Sequence, residues 1–286
     1  MKRRLISLLT LALPGAIFSL PVGNPWDASL LCNGIFCEGT CCKDPCDSHT
    51  KWYDAWNLRV GFYGDYVFER HLQANEYTNH RTIHKTEIYT NAGYVALNFF
   101  DRLDIFSTLG ATEMLIITGQ EPLGGTGNRI TVDTNTDFSW SLGARATLWE
   151  YGCLGIGAEV QYFRSRFEIN FTKMENSLPD YSLNGEAVKY HEWQLGLGAA
   201  YRINIASNTT ALVPYAAVKW NRALVNFGNG IFMPDLTTLT LVNFENDRAW
   251  GYAVGVTLVG CRKTGLTVEG RFADEKALHV NAQFRF

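Results

Sequence analysis

The last ten residues of the chain decide its fold: Ala277-Leu278-His279-Val280-Asn281-Ala282-Gln283-Phe284-Arg285-Phe286. Every second residue from Leu278 onward is apolar, and the residues between them are polar. Because successive side chains of a β-strand point to opposite faces, this alternation predicts a strand with one apolar and one polar face. Such a strand fits a soluble sheet with a buried apolar face, or a membrane barrel whose apolar face contacts lipid.

The same alternation recurs along the chain and predicts ten strands in all. The ten runs are residues 56–68, 88–100, 103–115, 138–148, 154–163, 187–201, 211–225, 249–259, 265–273 and 277–286. Short connections at 101–102, 151–152, 204–210 and 260–264 alternate with long polar ones at 69–87, 116–136, 169–185 and 226–248. Short turns at one end and long loops at the other are typical of outer-membrane barrels. The predicted fold is therefore an all-β, transmembrane, antiparallel, up-and-down β-barrel with an even number of strands, rather than a soluble sandwich.

The composition agrees with a β-rich envelope protein. The 286 residues carry a formal net charge of −3, which argues against nucleic acid as a partner, and 13% of them are aromatic. Outside the N-terminus, no uninterrupted apolar run approaches the roughly 18 residues of a membrane-spanning helix, so a spanning chain must form a closed barrel.

The N-terminus predicts export. Basic residues at Lys2, Arg3 and Arg4 precede the short apolar run Leu5–Leu13, and the small residue Ser19 suits the last position before cleavage. We therefore expect a signal peptide at 1–19, a Cys-rich periplasmic N-terminal segment at 20–55 and a transmembrane β-barrel at 56–286.

The cysteines indicate disulfide chemistry, because an exported chain meets an oxidising compartment. All seven are disulfide candidates: Cys32, Cys37, Cys41, Cys42, Cys46, Cys153 and Cys261. The odd total leaves at least one thiol free or paired between molecules. A zinc site is the competing interpretation, but the spacing lacks paired C-x-x-C knuckles. We place all seven at the periplasmic rim and expect them to join the barrel to other envelope proteins.

The polar phase of the strands predicts the lumen lining. The predicted pore-lining residues are Arg59, Asp65, Arg145, Glu159, Gln161, Glu192, Gln194, Lys219, Glu269, Arg271, Asn281 and Gln283. Such mixed charges would select solutes by charge and size. The alternative is that they pair across a filled interior, since about eight strands leave a lumen filled by side chains and sixteen to eighteen leave an aqueous channel.

The sequence predicts no enzyme, no metal site and no cofactor. Gly124-Gly125-Thr126-Gly127 lacks the Lys-Ser/Thr of a phosphate-binding loop, and no G-x-S-x-G nucleophile motif is present. The histidines lack metalloprotease spacing.

Several blocks of sequence resemble a known family. They are 20–25 (LPVGNP), 61–68 (GFYGDYVF), 136–141 (TDFSWS), 191–194 (HEWQ) and 279–286 (HVNAQFRF). Together they resemble the chlamydial major outer membrane protein family of porins, of which this chain is a shorter, divergent paralogue whose missing residues fall mainly in loops. The resemblance implies about sixteen strands, a channel for small solutes, a homotrimer, and disulfide links to cysteine-rich envelope proteins.

These expectations combine into one functional hypothesis and one alternative. The hypothesis is an outer-membrane porin, exported through a cleaved signal peptide, that also contributes to a disulfide-cross-linked envelope. The alternative is a structural or adhesive surface barrel with little conductance, whose loops contact the host cell surface. Lipid of the outer membrane is the expected surrounding in both cases.

Overall fold

The computed structural model describes most of the chain. The described residues are 20–31, 56–74, 83–120, 128–174, 187–206, 210–227, 231–232, 238–239 and 243–286. The predicted signal peptide and the cysteines of segment 32–55 lie outside them, so the division of the chain into three parts stays a prediction.

Strands dominate the described residues. They are β1 (Trp56–Arg70), β2 (Leu72–Ala74), β3 (Ile83–Phe99), β4 (Leu103–Gln120), β5 (Asn128–Thr134), β6 (Asp137–Tyr151), β7 (Leu154–Met174), β8 (Ala187–Tyr201), β9 (Ile203–Ala206), β10 (Thr210–Asn226), β11 (Ile231–Phe232), β12 (Thr238–Leu239), β13 (Phe244–Asn246), β14 (Trp250–Gly260), β15 (Thr264–Phe272) and β16 (Glu275–Arg285). One short helix, α1, covers Asp27–Leu30.

Ten of these strands close into a ring. The order around the ring is β1, β3, β4, β6, β7, β8, β10, β14, β15 and β16, and β16 pairs with β1. Every pairing is antiparallel, and closure leaves these strands without a free edge. The predicted up-and-down barrel and its even strand number are confirmed.

One end of the barrel carries the short turns. Phe100 and Asp101 have positive φ angles of 54° and 51°, and Cys261 and Arg262 repeat this pattern with 50° and 54°. The Arg102 amide donates to the Phe99 carbonyl at 3.0 Å, which closes the first of these turns. Positive φ at two successive residues matches the turn twist to that of the strands.

The other end extends further than the sequence predicted. β4 continues to Gln120 and β7 to Met174, although residues 116–136 and 169–185 were expected to be loops. The added strands β5, β2 and β13 pair there as well. We call this part the long-loop end. The loop prediction was wrong for these residues because the two faces change character there. Buried apolar side chains such as Ile116, Val132 and Ile169 face inward, and exposed polar ones such as Arg129 and Asn170 face outward.

The outer face of the ring suits a lipid bilayer. Along β8, the outward side chains of Trp193, Leu195, Leu197 and Tyr201 are 52–55% exposed. The nine residues from Trp193 to Tyr201 span about 27 Å along the strand, close to the height of the apolar band in outer-membrane barrels. Aromatic residues at both edges of an apolar band are typical of these proteins.

The N-terminal segment lies inside the ring. Residues Leu20–Leu31, with α1 at their end, are almost entirely buried, and we call them the luminal segment. The sequence predicts a periplasmic segment at 20–55, of which the structure describes residues 20–31. These residues lie in the lumen because their peptide groups and Asp27 hydrogen-bond to the polar inner face, as described below. None of the helices in the described residues is long and apolar enough to span a membrane.

Candidate pore lumen

The predicted lining residues share one location. All twelve point to the interior of the ring and are buried: Arg59, Asp65, Arg145, Glu159, Gln161, Glu192, Gln194, Lys219, Glu269, Arg271, Asn281 and Gln283. Their assignment as pore-lining residues stays a prediction, because in this structure many of them bind the luminal segment or one another. They form a polar belt inside the membrane-facing part of the barrel.

Arg59 holds the lower part of the luminal segment. Its guanidinium group donates to the carbonyl oxygens of Asp27 and Ala28 at 2.9 and 2.8 Å, and pairs with the Asp104 carboxylate at 2.9 Å. Asn98 donates to the same Ala28 carbonyl at 2.9 Å. A fully buried guanidinium group has five donors to satisfy, and main-chain carbonyls at the end of a helix supply acceptors.

Arg145 and Gln283 bind the middle of the luminal segment. Both donate to the Asp27 carboxylate, at 2.6 and 2.5 Å, and Arg145 also pairs with Glu159 at 2.5 Å. On the facing wall, the Glu269 carboxylate accepts from the backbone amides of Val22 and Gly23 at 3.1 and 2.9 Å. The belt thus binds the segment through both its carbonyls and its amides.

A group of seven buried charges surrounds the upper end of the segment. We call it the upper charge cluster: Asp65, Arg70, Glu192, Lys219, Arg271, Asp274 and Glu275. Arg70 pairs with Glu192 at 2.9 Å, and Arg271 pairs with Asp65 at 2.6 Å. Lys219 lies 3.3 Å from Glu275 and donates to the Leu20 carbonyl at 2.9 Å.

Glycines on the inner wall make space for the segment. A Cβ atom on Gly157 would lie 1.8 Å from the Pro25 carbonyl oxygen, and one on Gly155 would lie 2.4 Å from the Trp26 ring. Real Cβ atoms do not approach other heavy atoms this closely, so the segment and the glycine wall are complementary in shape.

An apolar cluster fills the interior above the belt. It includes Ile88, Met114, Phe167, Val188 and Phe244 from five different strands, all at most 5% exposed. Along β7 the change is abrupt: Gln161 belongs to the belt, whereas Phe163 and Phe167 belong to the apolar cluster. The described lumen is therefore closed at two levels, by the luminal segment and by this cluster.

Some residues of the lumen were missed by the sequence analysis. They are Asp27, Asp104, Arg70, Asp274, Glu275 and Arg285. Arg285 shares its phase with Asn281 and Gln283, so the alternation of the last strand could have identified it. Asp27 belongs to an irregular segment, and no periodic signal marks it.

The cysteines are only partly described. Cys153 is free and exposed in the turn between β6 and β7, and Cys261 is disulfide-bonded to a partner outside the described residues. The other five candidates also lie outside them. Among the residues that the structure describes, no group of three or more His, Cys, Asp or Glu side chains is placed to hold a metal ion.

Comparison with known proteins identifies the family. The model of the Chlamydia major outer membrane protein family matches residues 1–80, 73–127, 125–185, 181–238 and 232–286. The chain belongs to the Chlamydia major outer membrane protein family. A major outer membrane porin of Chlamydia pneumoniae is 32% identical over 392 aligned positions, covering 100% of this chain and 99% of the relative. A major outer membrane porin of Chlamydia psittaci is 33% identical, with full coverage of both chains.

Solved structures of other barrels are also similar to this member of the major outer membrane protein family. The β domain of the Bordetella autotransporter BrkA covers 81% of this chain and 100% of its own, with 14% identity and a TM-score of 0.45. The outer membrane protease OmpT of Escherichia coli covers 84% and 99%, with 13% identity and the same TM-score. Family membership and the closed ring place the chain in the outer membrane, as the sequence predicted. The alignments with the porins are longer than the chain, so the relatives carry residues that it lacks.

Proposed function

We propose that the chain is an outer-membrane porin that conducts small solutes through the lumen of its ten-stranded ring. The polar belt is the observation that carries this proposal. A membrane-embedded ring whose inner wall presents carboxylate, guanidinium and amide groups offers solutes a hydrated path once those groups are free. Curated relatives across the whole chain are named porins.

The luminal segment is the removable part of this path. It is bound to the wall by side-chain contacts, and no residue of it pairs with a strand of the ring. The segment can therefore leave without breaking the barrel, and a lumen that holds a peptide and a helical turn is wide enough for solutes of similar cross-section. We propose that the structure represents the closed state and that conduction requires the segment and the apolar cluster to move.

Solute selection would come from the charges that the segment now covers. Arg59, Arg145 and Lys219 bind oxygen atoms of the segment, and Glu269 binds its amides. These four groups would face the solute after the segment leaves, and we propose that they act as a charge filter. We propose no catalytic reaction for the lumen.

Planar bilayers test the function directly. We expect discrete current steps from the refolded chain and a higher open probability after deletion of residues 21–30. A chain unfolded by boiling is the control for membrane leakage. No current above this background from either the intact or the shortened barrel would contradict the proposal.

The partners are proposals as well. We propose that the exposed Cys153 thiol forms disulfides with cysteine-rich envelope proteins, and that the chain assembles into homotrimers. Contact of the long-loop end with the host cell surface is a further proposal. Cross-linking in intact envelopes, followed by mass determination with and without reductant, separates the homotrimer from disulfide-linked species.

A further inference from the structure

The outer wall of the barrel carries a cluster of positive charge towards the long-loop end. We call it the basic patch, and its members are Arg164 and Arg166 on β7, Lys189 on β8 and Arg222 on β10. All four side chains are exposed, and the residues on either side of each along its strand are buried. The patch therefore points away from the lumen. Arg166 lies directly opposite Lys189 in the register of β7 and β8.

The basic patch holds its charge without carboxylate partners. Within the ranges that the structure describes, none of its four cations forms an ion pair or a side-chain hydrogen bond. Glu168 is the next outward residue along β7, and it does not pair with Arg166. Like charges directly opposite each other on neighbouring strands are destabilising, and Arg166 and Lys189 are such a pair. An anion bound between them would remove this repulsion and add two attractions.

The basic patch begins at the edge of the apolar band. Three neighbouring strands carry outward aromatic residues, and on each strand the next outward residue towards the long-loop end is basic. These successions are Tyr162 to Arg164, Trp193 to His191, and Trp220 to Arg222. The rings of Tyr162 and Trp193 are in contact, with centroids 4.6 Å apart. Because aromatic side chains mark the membrane–water interface, the patch lies at the level of the lipid headgroups.

The other flank of the barrel carries the opposite charge at a comparable position. Tyr89 on β3 is an outward aromatic residue there, and Glu113 lies directly opposite it on β4. Glu87 and Asp133 line a small cavity together with these two residues. A uniform belt of lysine and arginine would indicate general attraction to an anionic surface, whereas positive charge on one flank favours a local site.

An apolar groove lies below the basic patch on the same part of the wall. It has a volume of about 610 Å³, and the small side chains of Ala199 and Ala216, which lie opposite each other, belong to its lining. Val218 also lines the groove and is separated from Arg222 by about 13 Å along β10. One leaflet contributes about half of the roughly 30 Å hydrocarbon core. A lipid whose headgroup binds the patch therefore places its acyl chains beside this groove.

We propose that the basic patch binds the phosphate group of an anionic lipid in the outer leaflet, and that an acyl chain of this lipid occupies the groove. Arginine donates paired hydrogen bonds to phosphate oxygen atoms, and lysine adds a compact positive charge. The long loops of outer-membrane barrels are extracellular, which places the patch in the outer leaflet. This inference rests on the outer-membrane location and is independent of conduction through the lumen.

Lipid binding in a neutral detergent tests the proposal. The refolded chain is titrated with dimyristoyl phosphatidic acid or with dimyristoyl phosphatidylcholine, which has the same acyl chains and no net charge. Native mass spectrometry measures the fraction of folded barrels that carry lipid. We expect half-saturation at an at least tenfold lower concentration of phosphatidic acid. Inorganic phosphate at the same concentration should not compete, because it has no acyl chain.

Two double variants that remove the same charge separate the basic patch from general attraction. Arg166→Gln combined with Lys189→Gln should raise the half-saturating concentration of phosphatidic acid at least fivefold. Lys85→Gln combined with Arg129→Gln removes two outward cations elsewhere at the long-loop end and should not change it. Ala216→Phe fills the groove and should raise it at least threefold. Only ions with the mass of the folded monomer are counted, so poor refolding does not imitate a loss of binding.

Several results would overturn the proposal. Equal half-saturation by the two lipids would show that charge is not recognised, and equal loss in the two double variants would show that the basic patch is not the site. Unchanged binding in Ala216→Phe would exclude the acyl chain from the groove. Competition by inorganic phosphate would assign the patch to a free anion. Tighter binding of a heparin fragment than of phosphatidic acid through Arg166 and Lys189 would assign it to a sulfated polysaccharide. Lipid-free oligomers that dissociate in the patch variant would assign it to contact between copies of the chain.

Discussion

Arg145 on β6 and Asp27 in the luminal segment are joined by an ion pair of 2.6 Å, with both side chains buried. The same guanidinium group binds Glu159 on β7, so one side chain connects the barrel wall to the segment that fills it. Removing one partner of a buried pair costs about 3–5 kcal/mol when the other charge is left uncompensated. Here Glu159 still compensates Arg145 when Asp27 is lost, so the cost falls on the attachment of the segment. The position of the luminal segment should therefore depend strongly on a single carboxylate.

The first prediction is that Asp27→Asn releases the segment. Arg145 keeps Glu159 as a partner, so the barrel itself should remain folded while the segment loses its ion pair. We expect a higher open probability in planar bilayers and faster proteolysis of the N-terminus. Asp133→Asn, which changes a carboxylate at the long-loop end, should leave both unchanged. Unchanged conductance and proteolysis in Asp27→Asn would show that the pair does not hold the segment.

The second prediction concerns the shape of the wall. Gly157→Ala places a methyl group where the Pro25 carbonyl lies, so the segment must shift, at a cost of about 1–3 kcal/mol. Gly270→Ala is the matched control, because a Cβ atom there has no neighbour within 4 Å. We expect only Gly157→Ala to lower the midpoint of thermal unfolding and to expose Pro25 and Trp26 to protease. Equal behaviour of the two variants would argue against close packing of the segment on this wall.

The third prediction concerns the lipid face. Ala144 points outward between Trp140 and Trp149, which places it near the middle of the apolar band. Ala144→Arg should destabilise the folded barrel in lipid by about 2–4 kcal/mol. Asn135→Arg, at an exposed position outside the strands, is the control and should have little effect. Urea titrations in liposomes measure both, and equal stabilities would mean that Ala144 does not face lipid.

The alternation of apolar and polar side chains predicts the ring because side chains that face lipid must be apolar, while those that face the interior can be polar. An apolar phase at Leu142 and Ala144, with Gly143 and Arg145 in the opposite phase, identifies β6 and both of its faces without any knowledge of the neighbouring strands. The short turn predicted at Asp101 and Arg102 is present and begins one residue earlier, at Phe100. The family is recognisable for a separate reason: the sequence blocks that resemble it lie in the strands and at the N-terminus.

The luminal segment could not be predicted in this way. Asn24 and Asp27 hydrogen-bond to Thr257 and Gln283, which are more than 200 residues away along the chain. Such contacts leave no periodic pattern in the sequence. The same holds for the long-loop end. Phe167 and Glu168 continue the alternation of β7, but there the apolar side chain points inward and the charged one outward. Alternation identifies the faces of a strand, and the surroundings decide which face is apolar.

The fourth prediction tests the apolar cluster at the long-loop end. Phe167 is fully buried there, and Phe167→Ala should cost about 3–5 kcal/mol through lost packing and the cavity left behind. Phe138→Ala is the same substitution at a side chain that is 64% exposed, so it should cost much less. Thermal unfolding compares the two variants. If Phe167→Ala also raises conductance, the cluster contributes to closure; similar unfolding midpoints would show that the cluster does not stabilise this end.

The fifth prediction concerns Cys153. Its thiol is exposed in the turn between β6 and β7, at the short-turn end, where we place the periplasm. Exposed thiols in an oxidising compartment form disulfides with other molecules, so non-reducing gels of whole envelopes should show high-mass species that reductant converts to the monomer. Cys153→Ser should remove at least part of these species, whereas Ser29→Ala, a change of similar size in the lumen, should not. An unchanged pattern in Cys153→Ser, with the wild-type thiol fully alkylatable in intact envelopes, would remove Cys153 from the cross-linking role.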